Sequence, residues 1–303
     1  METMNFNDLT LGIIGLGQMG ASIAAGLSGK VKTIIGFDIN TNNTNYCLSA
    51  GYINSASTLE GIAQEADVVA VATPVDQIVT TVHKLLGSAN QQLVVSDVGS
   101  VKAPIMEYLL NHPRRGQFVS LHPMAGNAGQ GPQYASANQF SGKLAFICDV
   151  HHSASRSLEL VKGLWGLLGA KIEFASSTEH DRLMAFVSHL PQLAAYALAN
   201  SVANNPNDIS NTLKAASSGF DSMTRLAKSS ASMWLPIVKH NKENILSAIA
   251  EYQKQLNQIQ MAIIQSDYQA LQSLIVKANG IRNTFENQQN QNIINHDKQK
   301  VKN

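Results

Sequence analysis

The sequence predicts an α/β chain, a doubly wound parallel sheet followed by an all-helical second half. Short apolar runs alternate with helix-spaced stretches from Leu11 to about Phe174, most runs end abruptly at a Gly, a Pro or an isolated polar residue, and strand-like runs cease after Ser177. At 303 residues and 44% hydrophobic the chain is globular and long enough for two cores. Lys and Arg number 22 against 21 Asp and Glu, so no basic footprint for nucleic acid or an anionic membrane stands out and a small-molecule partner is expected. Cys47 and Cys148 have no metal-ligand spacing, and no metal site is expected. Two cysteines, a polar rather than basic start and no apolar run of ~18 residues suit the cytoplasm.

Leu11 to Ile14 is a first strand, and Gly15-Leu16-Gly17-Gln18-Met19-Gly20 follows, opening the small-residue helix of Ala21 to Leu27. Strand, glycine turn and helix stand in the order of a Rossmann-type unit, in which the helix N-terminus offers free N–H groups to a pyrophosphate. Thr33 to Asp38 is a second strand ending in an acid 18 positions beyond Gly20, near the ~20 expected for a group that bonds ribose hydroxyls. Asp38 would repel a 2′-phosphate, and no Lys or Arg lies between Lys32 and Lys84, so the cofactor is expected to be NAD. The rival role for Asp38 is a turn residue ahead of Asn40. Asp67 to Ala72 is a third strand, with Thr73 at its end on the cofactor side, and Leu93 to Val95 leads into Ser96-Asp97-Val98-Gly99-Ser100-Val101-Lys102 before a helix over Ile105 to Leu110. Ser100 is well placed to cap that helix.

Phe118 to Leu121 is a strand that stops in His122-Pro123, and Pro123 has no N–H for the ladder. His122 therefore sits at a carboxyl edge, where ligands bind in open α/β sheets, or simply closes the strand. Ser100 leaves the same edge and could converge with it on one substrate hydroxyl. Asn127 to Gln139 is expected to be a mobile loop, and strands at Leu144 to Cys148 and Lys171 to Phe174 flank a helix over Ser155 to Leu168.

The second half opens at Thr178-Glu179-His180-Asp181 and is kinked at Pro191. At 100° per residue Asp181, Ser188 and Gln192 share a stripe, whereas His180 and His189 point to opposite sides, each readable as a structural histidine. Arg225 follows Gly219-Phe220 and suits either a substrate carboxylate or Asp221. Helices over Pro236 to Ile264 and Asp267 to Phe285 complete this half. The divisions expected are 1–176, 177–285 and a disordered Asn/Gln- and Lys-rich tail over 286–303.

Gly15 to Gly20, Ser96 to Lys102, His122 to Gly126, His180-Asp181, Ser188-His189-Leu190-Pro191, Gly219-Phe220, Thr224-Arg225 and Met233-Trp234 together resemble the prephenate and arogenate dehydrogenase family over residues 10 to 280. The resemblance implies a helical domain that forms a homodimer and NAD-dependent oxidative decarboxylation of a cyclohexadienol in tyrosine biosynthesis. It assigns His122 as the base for the C4 hydroxyl, Ser100 as its hydrogen-bonding partner and Arg225 as the holder of the ring carboxylate, with Ser188, Gln192 and Gly219 at the substrate. Turnover is then expected to fall in acid as one group near the histidine range protonates. Two departures stand out: Gln192 where many prephenate-using members carry histidine, and Ala128-Gly129 where charged residues are common. Arogenate is thus the alternative substrate. The glycine turn also resembles that of β-hydroxyacid dehydrogenases, although Lys214 and Lys228 lack the context of a catalytic lysine there, and a non-catalytic NAD-binding sensor is a third reading.

Overall fold

The computed structural model describes residues 5–126, 129–203 and 209–300, so part of the expected loop, Asn127 and Ala128, lies outside the described residues. The chain divides into two compact units, Met1–Ile245 and Leu246–Asn303.

In the first unit β1 (Thr10–Ile14), α1 (Gln18–Leu27), β2 (Thr33–Phe37), α2 (Thr41–Ser49) and the short β3 (Ser55–Ala56) form the first half-sheet. After α3 (Leu59–Glu65) the alternation continues through β4 (Val68–Val71), α4 (Val75–Leu86), β5 (Val94–Asp97), α5 (Ala103–Leu109) and β6 (Phe118–Pro123). Then come β7 (Leu144–Cys148), α6 (Ser155–Leu167) and β8 (Lys171–Ala175). Their spatial order is β3-β2-β1-β4-β5-β6-β7-β8, so the winding reverses between β1 and β4, where a doubly wound sheet opens its ligand crevice.

Successive residues of these strands face opposite sides, and both sides are covered. Leu11 and Ile13 pack with α1 and α6 through Ile23, Leu27 and Trp165, while Ile14, Val69 and Val71 pack with α3, α4 and α5 through Ile62, Ile78 and Leu109. Burial on two faces is why the strands read as unbroken apolar runs rather than alternating ones.

One strand departs from the expected parallel sheet. β7 runs antiparallel to β6, pairing His122 with Phe146. A parallel return needs a long crossover, usually a helix, and among the described residues the segment between these strands holds only a short 3₁₀ turn at Pro132–Tyr134.

Helices take over at α7 (Ser177–Met184), a π-helical turn (Ala185–His189) and α8 (Leu190–Ala203). The π turn stands just ahead of Pro191, whose ring cannot fit a regular turn over the carbonyl four residues back. α9 (Ile209–Lys214), α10 (Ser218–Thr224), a 3₁₀ turn at Arg225–Lys228 and α11 (Ala231–His240) follow, then α12 (Lys242–Ile264). The single helix expected from Pro236 is therefore broken at Asn241, and α11 seats Ile237 and Trp234 against Val75 and Val101. The first unit extends beyond the change of character at Ser177 because side chains of α7 and the α11–α12 junction bond into it, as described below.

The second unit holds the rest of α12 and α13 (Tyr268–Lys300), joined by a tight turn with Ser266 at φ 54° and Asp267 Oδ1 accepting from Ala270 N–H at 2.9 Å. The α13 backbone is helical to Lys300, through the segment where the sequence suggests disorder. Apolar patterning reports packing, whereas Gln and Lys are good helix formers and no Pro interrupts the run. No helix among the described residues is long and apolar enough to cross a membrane.

Candidate active site

At the cofactor end of the crevice, Gly15 adopts φ 90°, where a Cβ would lie 2.7 Å from Ala72 O, and a Cβ at Gly20 would lie 1.8 Å from Gly15 O. Both positions require glycine. Gly17 differs: it caps α1 with φ −69°, and a Cβ there meets nothing within 4 Å. The free space beside Gly17 lies at the α1 N-terminus, just ahead of Gln18 and Met19. Asp38 Oδ2 accepts from Leu16 N–H at 2.7 Å and Asn43 Nδ2 at 3.2 Å, and Oδ1 accepts from Asn40 N–H at 2.7 Å. Asp38 thus fills the turn role, and with about four acceptor positions its carboxylate keeps capacity beyond these three bonds. Thr73 Oγ1 is buried without a hydrogen-bond partner at the end of β4, as a group held ready for a ligand would be. These features fit a dinucleotide with a free ribose diol, and NAD is the cofactor. Gly17→Ala is expected to leave the melting temperature within about 1 °C while weakening NAD binding at least tenfold, read by calorimetric titration, because only the ligand would meet the new methyl.

At the substrate end, His122 Nδ1 lies 2.8 Å from His180 Nε2, and His180 Nδ1 lies 2.8 Å from Asp181 Oδ1. Asp181 in turn accepts the backbone N–H groups of Lys102 and Ala103, each at 2.8 Å. Its carboxylate therefore occupies the place at the α5 N-terminus that Ser100 was expected to fill. Ser100 makes no side-chain hydrogen bond among the described residues, which leaves its hydroxyl available. Lys102, fully buried, ties the ends of β5 and β6 together by an ion pair to Asp97 and a 2.8 Å bond to Leu121 O, immediately before His122.

The direction of the histidine chain follows from what each atom can do. A carboxylate cannot donate, so His180 Nδ1–H donates to Asp181; in the arrangement where His180 Nε2 accepts, His122 Nδ1–H is the donor. His122 Nε2 is left with its lone pair free. Burial, then His180, Lys102 and His189, push the His122 pKa well below the ordinary histidine value, so the ring is a neutral base at physiological pH. Phe146 packs edge-on against His180 at 5.6 Å, placed there by the antiparallel pairing of β7.

His180 and His189 keep separate partners, His180 between His122 and Asp181 and His189 beside Asn241 and Trp234, with a π turn between them on the chain. Asn241 Nδ2 donates both to Asp181 O at 2.8 Å and to His189 Nδ1 at 3.1 Å. Burial lowers the His189 pKa to about 4, Asp181 raising it and His180 lowering it. His180, Asp181 and Asn241 are thus the residues that sequence reasoning left out of the site. The sequence signal for the first two was the pair itself, adjacent at the head of the first helix of the second half.

Gln192 is buried and its Nε2 donates to Leu226 O at 2.6 Å. Arg225 is exposed, and among the described residues it makes neither the ion pair with Asp221 that the sequence allows nor another hydrogen bond. Ser188 is part-buried in the π turn, and Gly219 is exposed in the first turn of α10.

A doubly wound sheet with this glycine turn, and a base at the carboxyl edge of its sixth strand, defines a dinucleotide-dependent oxidoreductase. The descriptions matched narrow the class: "Prephenate dehydrogenase, nucleotide-binding domain" over residues 24–174 and "Prephenate dehydrogenase, dimerization domain" over residues 176–277. Prephenate dehydrogenase of Bacillus subtilis (strain 168) is 31% identical over 274 residues, covering 88% of this chain and 74% of that protein. The crystal structure of Aquifex aeolicus prephenate dehydrogenase with hydroxyphenyl propionate and NAD+ superposes with a TM-score of 0.85 at 30% identity, over 90% of this chain and 97% of that one. Synechocystis arogenate dehydrogenase gives 0.77 at 26% identity, over 91% and 100%. The chain belongs to the prephenate dehydrogenase family, an oxidoreductase family of tyrosine biosynthesis.

Proposed function

We propose that this enzyme oxidatively decarboxylates prephenate to 4-hydroxyphenylpyruvate, with His122 Nε2 taking the proton of the C4 hydroxyl. The observation that carries the reading is the chain from His122 through His180 to Asp181, which fixes the tautomer of a base at the ligand edge of the sheet. NAD, when bound, accepts the hydride from C4. Ser100, free of any capping role, orients the hydroxyl or His122, and Arg225, without a partner among the described residues, holds the ring carboxylate, with Ser188 and Gly219 beside the substrate. Loss of carbon dioxide yields an aromatic ring, so the protein has chiefly to orient the ring and accept one proton.

Residues 177–285 are proposed to supply substrate contacts and the surface for a homodimer. In the second unit Leu256, Ile259, Ile263, Ile264, Ile275 and Ile281 are all exposed, an apolar surface of the kind that a second copy covers.

Arogenate is the second reading, favoured by the likeness to the Synechocystis enzyme. Reduction of NAD followed at 340 nm with each acid tests both. The expected result is kcat/KM for prephenate at least about tenfold above that for arogenate. The reverse ratio assigns the enzyme to arogenate, and NAD binding with silence toward both acids returns the sensor reading.

A further inference from the structure

The cluster around Gln192 suggests a different use for it than reading the substrate. Gln192 and Tyr196 stand four residues apart on α8, hence on one face and one turn from each other. Gln192 Nε2 donates to Leu226 O at 2.6 Å and Tyr196 Oη donates to Ser229 O at 2.8 Å. The first carbonyl lies inside the 3₁₀ turn Arg225–Lys228 and the second just after it, the turn itself closed by Ser229 N–H on Leu226 O at 3.0 Å. The turn carries Arg225, whose guanidinium has no partner among the described residues to hold it. Its backbone is tied instead, twice, to the helix that follows the π turn and the His189 site.

We propose that Gln192 and Tyr196 are positioning residues that clamp the Arg225 turn, and that the buried amide of Gln192 acts on substrate only through that clamp. The inference rests on Arg225 as the carboxylate anchor. A histidine at this position would likewise offer one N–H to the Leu226 carbonyl.

The test compares Gln192→Met, Tyr196→Phe, the double variant and Arg225→Ala in the full-length enzyme. Losing one of these bonds is expected to raise the KM for prephenate about fivefold and losing both about twentyfold. In all three clamp variants kcat stays within about twofold and the KM for NAD does not move, a split that general loss of structure would not give. Gln192→His is expected to restore KM to within about twofold of the parent. Unchanged KM in the double variant, beside a raised KM in Arg225→Ala, overturns the clamp alone. Unchanged KM in Arg225→Ala overturns the anchor and the clamp together. A change of more than about tenfold in the preference between prephenate and arogenate on Gln192→Met overturns the claim that this amide does not read the substrate itself.

Discussion

His122→Asn is expected to lower kcat by about 10³-fold while leaving the NAD dissociation constant unchanged, because the glycine turn and Asp38 are separate from the histidine chain. Asparagine can keep a hydrogen bond toward His180 Nε2 through its amide N–H, so the fold is retained and the loss is that of the base. Steady-state rates with saturating NAD, beside a fluorescence titration of the cofactor, separate the two effects. A variant within tenfold of the parent rate would remove His122 as the base. The pH profile adds an independent check. The acid limb of kcat/KM reports the free enzyme, and the base must be neutral to act. Burial, and after it His180, Lys102 and His189, displace the His122 pKa downward, so the rate is expected to hold through pH 6.5 and to fall only in more acid solution. This amends the expectation, drawn from an unperturbed histidine, that the limb lies at the ordinary value. A limb at 6.5 would mean a wetter site than the one described.

The same burial bears on stability, with a sign that can be worked out at His189. Its folded pKa, about 4, lies below the unfolded value near 6.5, so the unfolded chain binds the extra proton first as pH falls. The contribution of the neutral ring is present above 6.5 and is lost progressively between 6.5 and about 4.

Much of the sheet was legible because a strand buried on both faces writes itself as an apolar run, and a turn in which a Cβ at Gly15 would lie 2.7 Å from Ala72 O admits no side chain. What the sequence hid was geometry that depends on partners distant along the chain. The antiparallel β7 follows from the lack of a crossover helix, which apolarity alone does not report. The pairing of His122 with His180 joins a strand end to a helix 58 residues further on, which no local periodicity anticipates. Ser100 read as a cap by local rules, yet the α5 N-terminus is satisfied from 78 residues away by Asp181. A local rule identifies the need of a helix end and not which side chain meets it.

That distant carboxylate is the basis of the second large effect. Asp181→Asn keeps the shape of the side chain but removes one acceptor oxygen from a site where Lys102 N–H, Ala103 N–H and His180 Nδ1–H all converge. His180 Nδ1–H and Lys102 N–H share Oδ1 while Ala103 N–H takes Oδ2, so an asparagine whose oxygen serves Ala103 N–H leaves Lys102 N–H unpaired and turns its NH₂ toward His180 Nδ1, which must then accept. The His180 proton moves to Nε2, His122 Nδ1 becomes the acceptor, and the His122 proton passes to Nε2, the atom needed as base. One substitution thereby reverses the direction of both histidine bonds and blocks the proton acceptor without touching it, as an Asp-to-Asn change does in other carboxylate–histidine pairs. The expected loss in kcat is about 10²–10³-fold. Unpairing a buried donor at the α5 N-terminus should add a stability cost of about 1–3 kcal/mol, read as a melting temperature several degrees lower. The two readouts separate the roles of Asp181. A lower melting temperature with kcat within threefold of the parent would leave Asp181 as a helix cap alone, whereas loss of kcat well below the melting transition is the result expected if its direction-setting bond to His180 governs the base.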